Sequence, residues 1–175
     1  AVYPLKYIYR FEEPVLDSIQ NEAFIISEFE TITFQLPDQR KDTEAFLVDA
    51  KTQDLIVISK REEPVNVYQI EYPYSTNDTI TAKQVMTLPL TQIVAASLSP
   101  DGTELLMKNY NHIYYWKNVQ NLSLMDLLKE LPKEIPYIVE PQGESITWAI
   151  DNSGFFTLSE INKEKNSFLY FYKRK

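Results

Sequence analysis

The residues best suited to chemistry in this chain are carboxylates and lysines that recur at matching places. Asp42 and Glu44 open the run Asp42-Thr-Glu44-Ala-Phe46-Leu-Val48-Asp49. Gln142 and Glu144 open Gln142-Gly-Glu144-Ser-Ile146-Thr-Trp148-Ala-Ile150-Asp151. A related run lies between them, Val94-Ala-Ala96-Ser-Leu98-Ser-Pro100-Asp101-Gly102, with Val94 and Ala96 where the acids would stand. Lys60, Lys108 and Glu160 follow the next apolar runs and read as a matching set of surrounding groups. Crowded carboxylates repel, so they require a cation, a basic neighbour or a raised pKa. Oxygen-rich clusters suit Ca²⁺ or Mg²⁺, with Asp42, Glu44 and Glu144 as the candidate ligands. A metal held there would let the site bind or hydrolyse a phosphate or another ester. Without a metal, the same acids can accept backbone N–H hydrogen bonds from a neighbouring strand, and Lys108 can form a salt bridge to one of them.

Other chemistries are poorly supplied. His112 is the only histidine, so a two-histidine zinc site is excluded, and no Gly-x-Ser-x-Gly nucleophile elbow is present. Absence of cysteine removes disulfides and thiol catalysis. No residue is therefore assigned a catalytic role. Seventeen basic against 25 acidic residues give a net charge of −8, which disfavours nucleic acid and anionic membrane surfaces as partners. The one basic cluster, Lys173-Arg174-Lys175, reads as a solvated chain end. No apolar stretch approaches the length of a transmembrane helix.

These residues must be positioned by β-structure. Each of the three runs leads through a polar turn into a second apolar run: Leu55–Ile58, Leu105–Met107 and Phe155–Leu158. A third run follows each, at Val67–Ile70, Ile113–Trp116 and Leu169–Tyr172, and an orphan copy stands at Ile8–Phe11. Fourth strands fit Thr31–Leu36 and Thr79–Met86. β-branched and aromatic residues fill these runs, and Pro, Asn, Asp and Gly separate them. Anchored on Glu44, Ala96 and Glu144, the repeat steps are 52 and 48 residues. Short strands at a period of roughly 40–50 residues mark propeller blades.

The expected fold is therefore all-β, a partial β-propeller of about three four-stranded blades from a six-bladed ring. Residues 1–40 form the end of one blade, 41–90 and 91–140 two blades, and 141–175 an incomplete blade. The chain starts inside a repeat, so the reading expects the missing half of the ring upstream or on a second chain. An uncovered blade face is then expected to drive self-association. Acidic motifs at the start of each innermost strand would converge on the channel rim. One helix is expected near 123–131, capped by Ser123, with Leu124, Leu127, Leu128 and Leu131 on one face and Pro132 ending it. Extended chain resumes at Pro136–Glu140.

Several motifs in order carry a resemblance: Ile8-Tyr-Arg-Phe-Glu-Glu-Pro14, Asp42-Thr-Glu44-Ala-Phe46, Val57-Ile-Ser-Lys60, Ser97-Leu-Ser-Pro-Asp-Gly102, Lys108-Asn-Tyr110, Gln142-Gly-Glu-Ser145 and Phe155-Phe-Thr-Leu-Ser-Glu160. Together they resemble the C-terminal half of an uncharacterised bacterial β-propeller family, distantly similar to propeller phytases and phytase-like esterase domains. The resemblance covers most of the chain. It implies an exported protein, periplasmic, secreted or lipid-anchored at the cell surface. It also implies a binding or scaffold role, with metal-dependent hydrolysis of phosphate esters as the alternative. Relatives tend to carry Arg-Thr-Tyr where this chain has Lys108-Asn109-Tyr110, so an anion-binding role does not transfer to position 108.

Overall fold

The computed structural model describes residues 3–14, 25–38, 40–161 and 166–174. Strands occupy 45% of the described residues and helix 3%, so the all-β expectation holds. In chain order the strands are β1 (Lys6–Arg10), β2 (Glu30–Gln35), β3 (Thr43–Val48), β4 (Leu55–Ser59), β5 (Val65–Ile70), β6 (Ile80–Thr81) and β7 (Lys83–Leu88). They continue as β8 (Ala95–Leu98), β9 (Glu104–Lys108), β10 (Ile113–Lys117), β11 (Lys133–Ile135), β12 (Gly143–Trp148), β13 (Gly154–Ser159) and β14 (Leu169–Lys173). They form four small sheets, ordered β1-β2-β6, β3-β4-β5-β7, β8-β9-β10-β11 and β12-β13-β14. Every pairing is antiparallel except β2 with β6.

Side-chain alternation explains how the sheets stack. In β4, Leu55 and Val57 face the first sheet beside Ile32, Phe34, Tyr68 and Ile70. Ile56 and Ile58 point the other way, into a core with Leu105 and Met107 of β9. Leu106, between those two, faces Ile146, Trp148 and Phe155 of the fourth sheet. Each of the two middle sheets thus buries one face on its predecessor and the other on its successor, as period-two patterning requires. The first strands lie side by side, β3 against β8 and β8 against β12. The outer strand of the second sheet bends at buried Ala82, so that β6 pairs with β2 while β7 pairs with β5.

The repeat register differs from the sequence reading. Val48 pairs with Leu55, Leu98 with Leu105, and Trp148 with Phe155. The turns close identically, with Asp49, Ser99 and Ala149 N–H donating to the carbonyls of Asp54, Glu104 and Gly154. The period is fifty residues in both steps. Glu44 therefore corresponds to Val94 and Glu144, and Asp42 to Gln92 and Gln142; Ala96 is the counterpart of Phe46 and Ile146. Lys60 corresponds to Tyr110 and Glu160, while Lys108 matches Ile58 and Leu158. The matching of Lys60 with Lys108 is thus corrected. It aligned charges at strand ends, whereas the hydrogen-bonded turns set the register.

The helix is also shorter than expected. α1 spans Leu124–Leu127, with Ser123 Oγ accepting from Asp126 N–H at 3.1 Å. After it the N–H groups of Lys129 and Glu130 donate three residues back, to Asp126 and Leu127, which tightens and ends the turn. Leu124, Leu127 and Leu128 fill the core between the second and third sheets, while Leu131 is 90% exposed. The third sheet's outer strand, β11, precedes Pro136, and residues 136–140 carry no ladder. At the chain end, Lys175 lies outside the described residues. Arg174 is not merely solvated: its guanidinium meets Glu104, 1% exposed, at 2.6 Å.

Candidate functional site

Two β-bulges build the site. The ladder slips between Thr43 and Ala45 in β3 and between Gly143 and Ser145 in β12, leaving Glu44 and Glu144 as the extra residues. A bulge re-aims its side chain out of the normal alternation. Both carboxylates reach the Lys60 ammonium, which lies just past β4. Lys60 Nζ is 2.6 Å from Glu44 Oε2 and 3.2 Å from Glu144 Oε1. It also donates to Tyr110 OH at 2.7 Å, and Tyr110 OH in turn donates to Glu144. Tyr110 occupies the third sheet's equivalent of position 60, so three sheets contribute to one cluster.

The cluster is well shielded at its centre. The Lys60 side chain is 4% exposed, against 30% for Glu44 and 27% for Glu144. Burial pulls the Lys60 pKa down, but hydrogen bonds from its nitrogen to Glu44, Tyr110 and Glu144 outweigh this and hold it above 10.5. Burial likewise pushes the Glu144 carboxyl up, and Tyr110 and Lys60 more than reverse it, so it lies below its ordinary value. The cluster of two acids and one base carries one surplus negative charge.

Asp42 sits beside this group with its own counter-ion, Arg61 Nε at 2.8 Å. Burial raises the Asp42 pKa, and the Arg61 hydrogen bond leads the effects that bring it below normal. Asp42, Glu44 and Glu144 therefore do not gather as a ligand set. Among the described residues no group of three or more His, Cys, Asp or Glu side chains could hold a metal ion. The physical reason is that Lys60 stands between Glu44 and Glu144, where a cation would otherwise neutralise them. Gln142 and Glu160 are not brought in either. Both are exposed, and their link is a backbone bond from Glu160 N–H to Gln142 carbonyl at 2.9 Å.

Lys108 is placed differently from the expected salt bridge. It is fully buried between the third and fourth sheets and donates to the carbonyls of Gly143 at 2.6 Å and Asn109 at 3.1 Å. Its Nζ is also 4.8 Å from the centre of the Tyr137 ring. Burial lowers its pKa, with Glu140 and Glu144 opposing. Glu140 is 4% exposed; one oxygen accepts from Thr157, and Oε2 has no hydrogen-bond partner among the described residues. Gly143 threads between the two charges. A Cβ there would lie 2.6 Å from Glu140 Oε2 and 3.1 Å from Lys108 Nζ, so a side chain would push the Glu140 carboxylate aside.

Sequence reasoning missed Tyr110, Arg61, Tyr137 and Glu140. Tyr110 could have been found by aligning the turns, which puts it level with Lys60. The others come from chain outside the repeated strands and left no periodic signal. His112 is a surface residue, 3.1 Å from Glu134 and about half exposed.

A largely aromatic cleft of about 760 Å³ adjoins the cluster; Tyr3, Tyr7, Tyr9, Phe11 and Phe46 line it together with the charged Lys6 and Glu44. It lies where the first sheet has no strands beyond β1. Phe46 and Val48 are 50% and 48% exposed there, whereas their counterparts Ile146 and Trp148 are buried on the preceding sheet. No described helix is long and apolar enough to cross a membrane. No protein-family model matches the chain, and no curated protein matches it either.

Proposed function

We propose that the chain is part of a non-catalytic, exported β-propeller that binds a ligand at the channel mouth. One observation carries this reading: Lys60 of the second sheet is 3.2 Å from Glu144 of the fourth, although the third sheet lies between them. Sheets packed as a flat stack lie about 10 Å apart, so the second and fourth would be about 20 Å apart. That distance is beyond the joint reach of a lysine and a glutamate. Sheets that converge at this edge and splay at the other would bring the two groups together, which supports the blade reading. The exported, bacterial assignment rests on the motif order quoted above.

The ligand chemistry follows from the cluster. A surplus carboxylate beside an aromatic cleft favours a cationic group with some apolar body. Anions would meet two carboxylates. Lys60 already stands between the acids that a phytase-like metal centre would need, so the geometry supports binding over metal-dependent hydrolysis.

Thermal melting with butylammonium, calcium or inorganic phosphate tests this. Butylammonium is expected to raise Tm by mass action, and Glu144→Gln to abolish the rise. A rise with phosphate but not with the amine would overturn the cationic-ligand reading. A rise with calcium alone, lost in Glu44→Gln, would favour the hydrolase.

A further inference from the structure

The joint between the third and fourth sheets holds a lysine that packing does not require. Its counterpart in the joint before it is Ile58, which is fully buried and closes the second sheet on the third with apolar contact. A buried ammonium costs desolvation that an apolar side chain of similar size avoids. The difference follows the acids. Lys108 stands in the sheet before β12, which bears Glu144, whereas Ile58 stands in the sheet before β8, which has Val94 at that place. β3 bears Glu44, and there the preceding sheet again supplies a lysine to the backbone: Lys6 Nζ of β1 donates to the Lys41 carbonyl at 2.8 Å.

Two arms run from Lys108 to Glu144. The Gly143 carbonyl, which accepts from Lys108 Nζ at 2.6 Å, lies in the same peptide plane as the Glu144 N–H. Holding that plane fixes the direction in which the bulged residue leaves the strand. The Gly143 N–H is held too, by the Glu140 carbonyl at 3.3 Å. The second arm is the loop at Asn109 and Tyr110. Lys108 Nζ donates to the Asn109 carbonyl at 3.1 Å, and Tyr137 OH donates to the Tyr110 carbonyl at 2.5 Å. Tyr110 OH in turn donates to Glu144. Lys108 Nζ is 3.4 Å from the Tyr137 hydroxyl oxygen, so one ammonium braces both arms. Tyr137 is itself anchored, since the Ile138 N–H donates to Tyr172 OH at 2.9 Å.

We propose that Lys108 and Tyr137 are positioning residues of the ligand site, aiming the Glu144 carboxylate through the backbone without touching the ligand. The proposal rests on the cationic-ligand reading for its second readout only. Two variants of the 175-residue chain test it. Tyr137→Phe removes one hydroxyl and no charge. Lys108→Met/Glu140→Gln removes one charge of each sign, so the net charge of the joint is unchanged.

The first readout is the Glu144 carboxyl titration by carbon-13 NMR without amine, with Glu144→Gln assigning the resonance. Burial pushes this carboxyl up, and the Tyr110 hydrogen bond leads the effects that bring it below 4.5. A misaimed carboxylate should therefore titrate higher in both variants. The second readout is the Kd for butylammonium, taken from the dependence of Tm on amine concentration. It should rise about fivefold in each variant, the scale of one lost hydrogen bond. Tyr68→Phe strips a hydroxyl from the joint between the first and second sheets, where it bonds Asp38 at 2.9 Å, and should move neither readout. Variants that lose stability yet keep the wild-type Glu144 titration, or bind the amine as wild type does, would overturn the proposal and leave Lys108 a feature of the joint alone. An equal shift in Tyr68→Phe would overturn it as well, because any lost hydroxyl would then disturb the rim. A shift in Tyr137→Phe that the double variant lacks would overturn the role of Lys108. A wild type that binds no amine would overturn the ligand reading, while the titration still decides the positioning.

Discussion

Two buried lysines stand one sheet apart and solve opposite problems. Lys60 meets carboxylates at a rim that three sheets share, and its pKa is raised. Lys108 meets backbone carbonyls inside the joint between the third and fourth sheets, and its pKa is lowered. Charge compensation and solvent access separate them. The partners of Lys60 are about a quarter to a third exposed, so they stay hydrated if it is lost. The acid that weighs most in the balance at Lys108 is Glu140, which is buried and keeps one oxygen unpaired. A functional site needs the first arrangement, because a ligand can compete for hydrated carboxylates. The second holds two sheets together and is closed to solvent.

The largest expected effect is at Lys108. Lys108→Met leaves the Glu140 charge buried without its compensating cation and strips donors from two carbonyls. Leaving a buried charge without compensation costs about 3–5 kcal/mol. Urea denaturation should show that loss, and the double variant Lys108→Met/Glu140→Gln should recover most of it. If the double variant is no more stable than the single one, Glu140 is not the partner and the lysine acts through its carbonyl bonds alone.

How much of this was legible in the sequence depends on what kind of signal each residue leaves. The strands were legible because strands packed between two sheets read as short continuous apolar runs, and Leu55–Ser59 and Ile113–Lys117 are such runs of β-branched and aromatic residues. The acids of the site were legible as well, since Glu44 and Glu144 repeat with the sheets. Their partner was misassigned. Lys60 and Lys108 look alike as charges after an apolar run, yet the turn at Asp49, Ser99 and Ala149 sets the register and puts Tyr110 beside Lys60. The bulges that aim Glu44 and Glu144 were invisible, because one extra residue in a ladder has no compositional mark. β11 was too short to give a period, whereas α1 was legible from its Ser123 cap and leucine spacing but ends earlier than that spacing suggests.

A middle-sized effect sharpens the comparison through pH. Lys60→Met should cost about 1.5–3 kcal/mol near neutrality, the scale of lost hydrogen bonds to charged groups. Its raised pKa means that this contribution is complete below 10.5 and is lost as pH climbs through the folded value. The gap between wild type and Lys60→Met should therefore narrow above 10.5. Lys108 has the reverse sign. Between its lowered pKa and 10.5 the unfolded chain binds the proton more tightly, so the native state gains as pH rises. The gap between wild type and Lys108→Met should widen over that window. Urea midpoints measured from about pH 8 to 11 read both trends, and two gaps moving in the same direction would break the contrast between the lysines.

The smallest effect concerns Tyr110, the group that links the two regions. Its hydroxyl bridges Lys60 and Glu144, and its carbonyl accepts from Tyr137 OH at 2.5 Å, next to Lys108. Tyr110→Phe keeps the ring and the carbonyl and removes only the hydroxyl. The Lys60 ring contact at 5.0 Å also survives. The expected cost is about 1 kcal/mol, one hydrogen-bonded link in a partly hydrated cluster. Its signature lies at acid pH. Glu144 has a depressed pKa, so its contribution is present above its unfolded value of 4.5 and is lost as pH falls through the folded value. Tyr110 leads the groups that depress it, so the variant raises the folded pKa toward 4.5 and shrinks that contribution. Wild type and Tyr110→Phe should differ at neutral pH and converge as acid protonates Glu144. A gap that persists unchanged below pH 3 would show that the hydroxyl acts by packing rather than through the carboxylate.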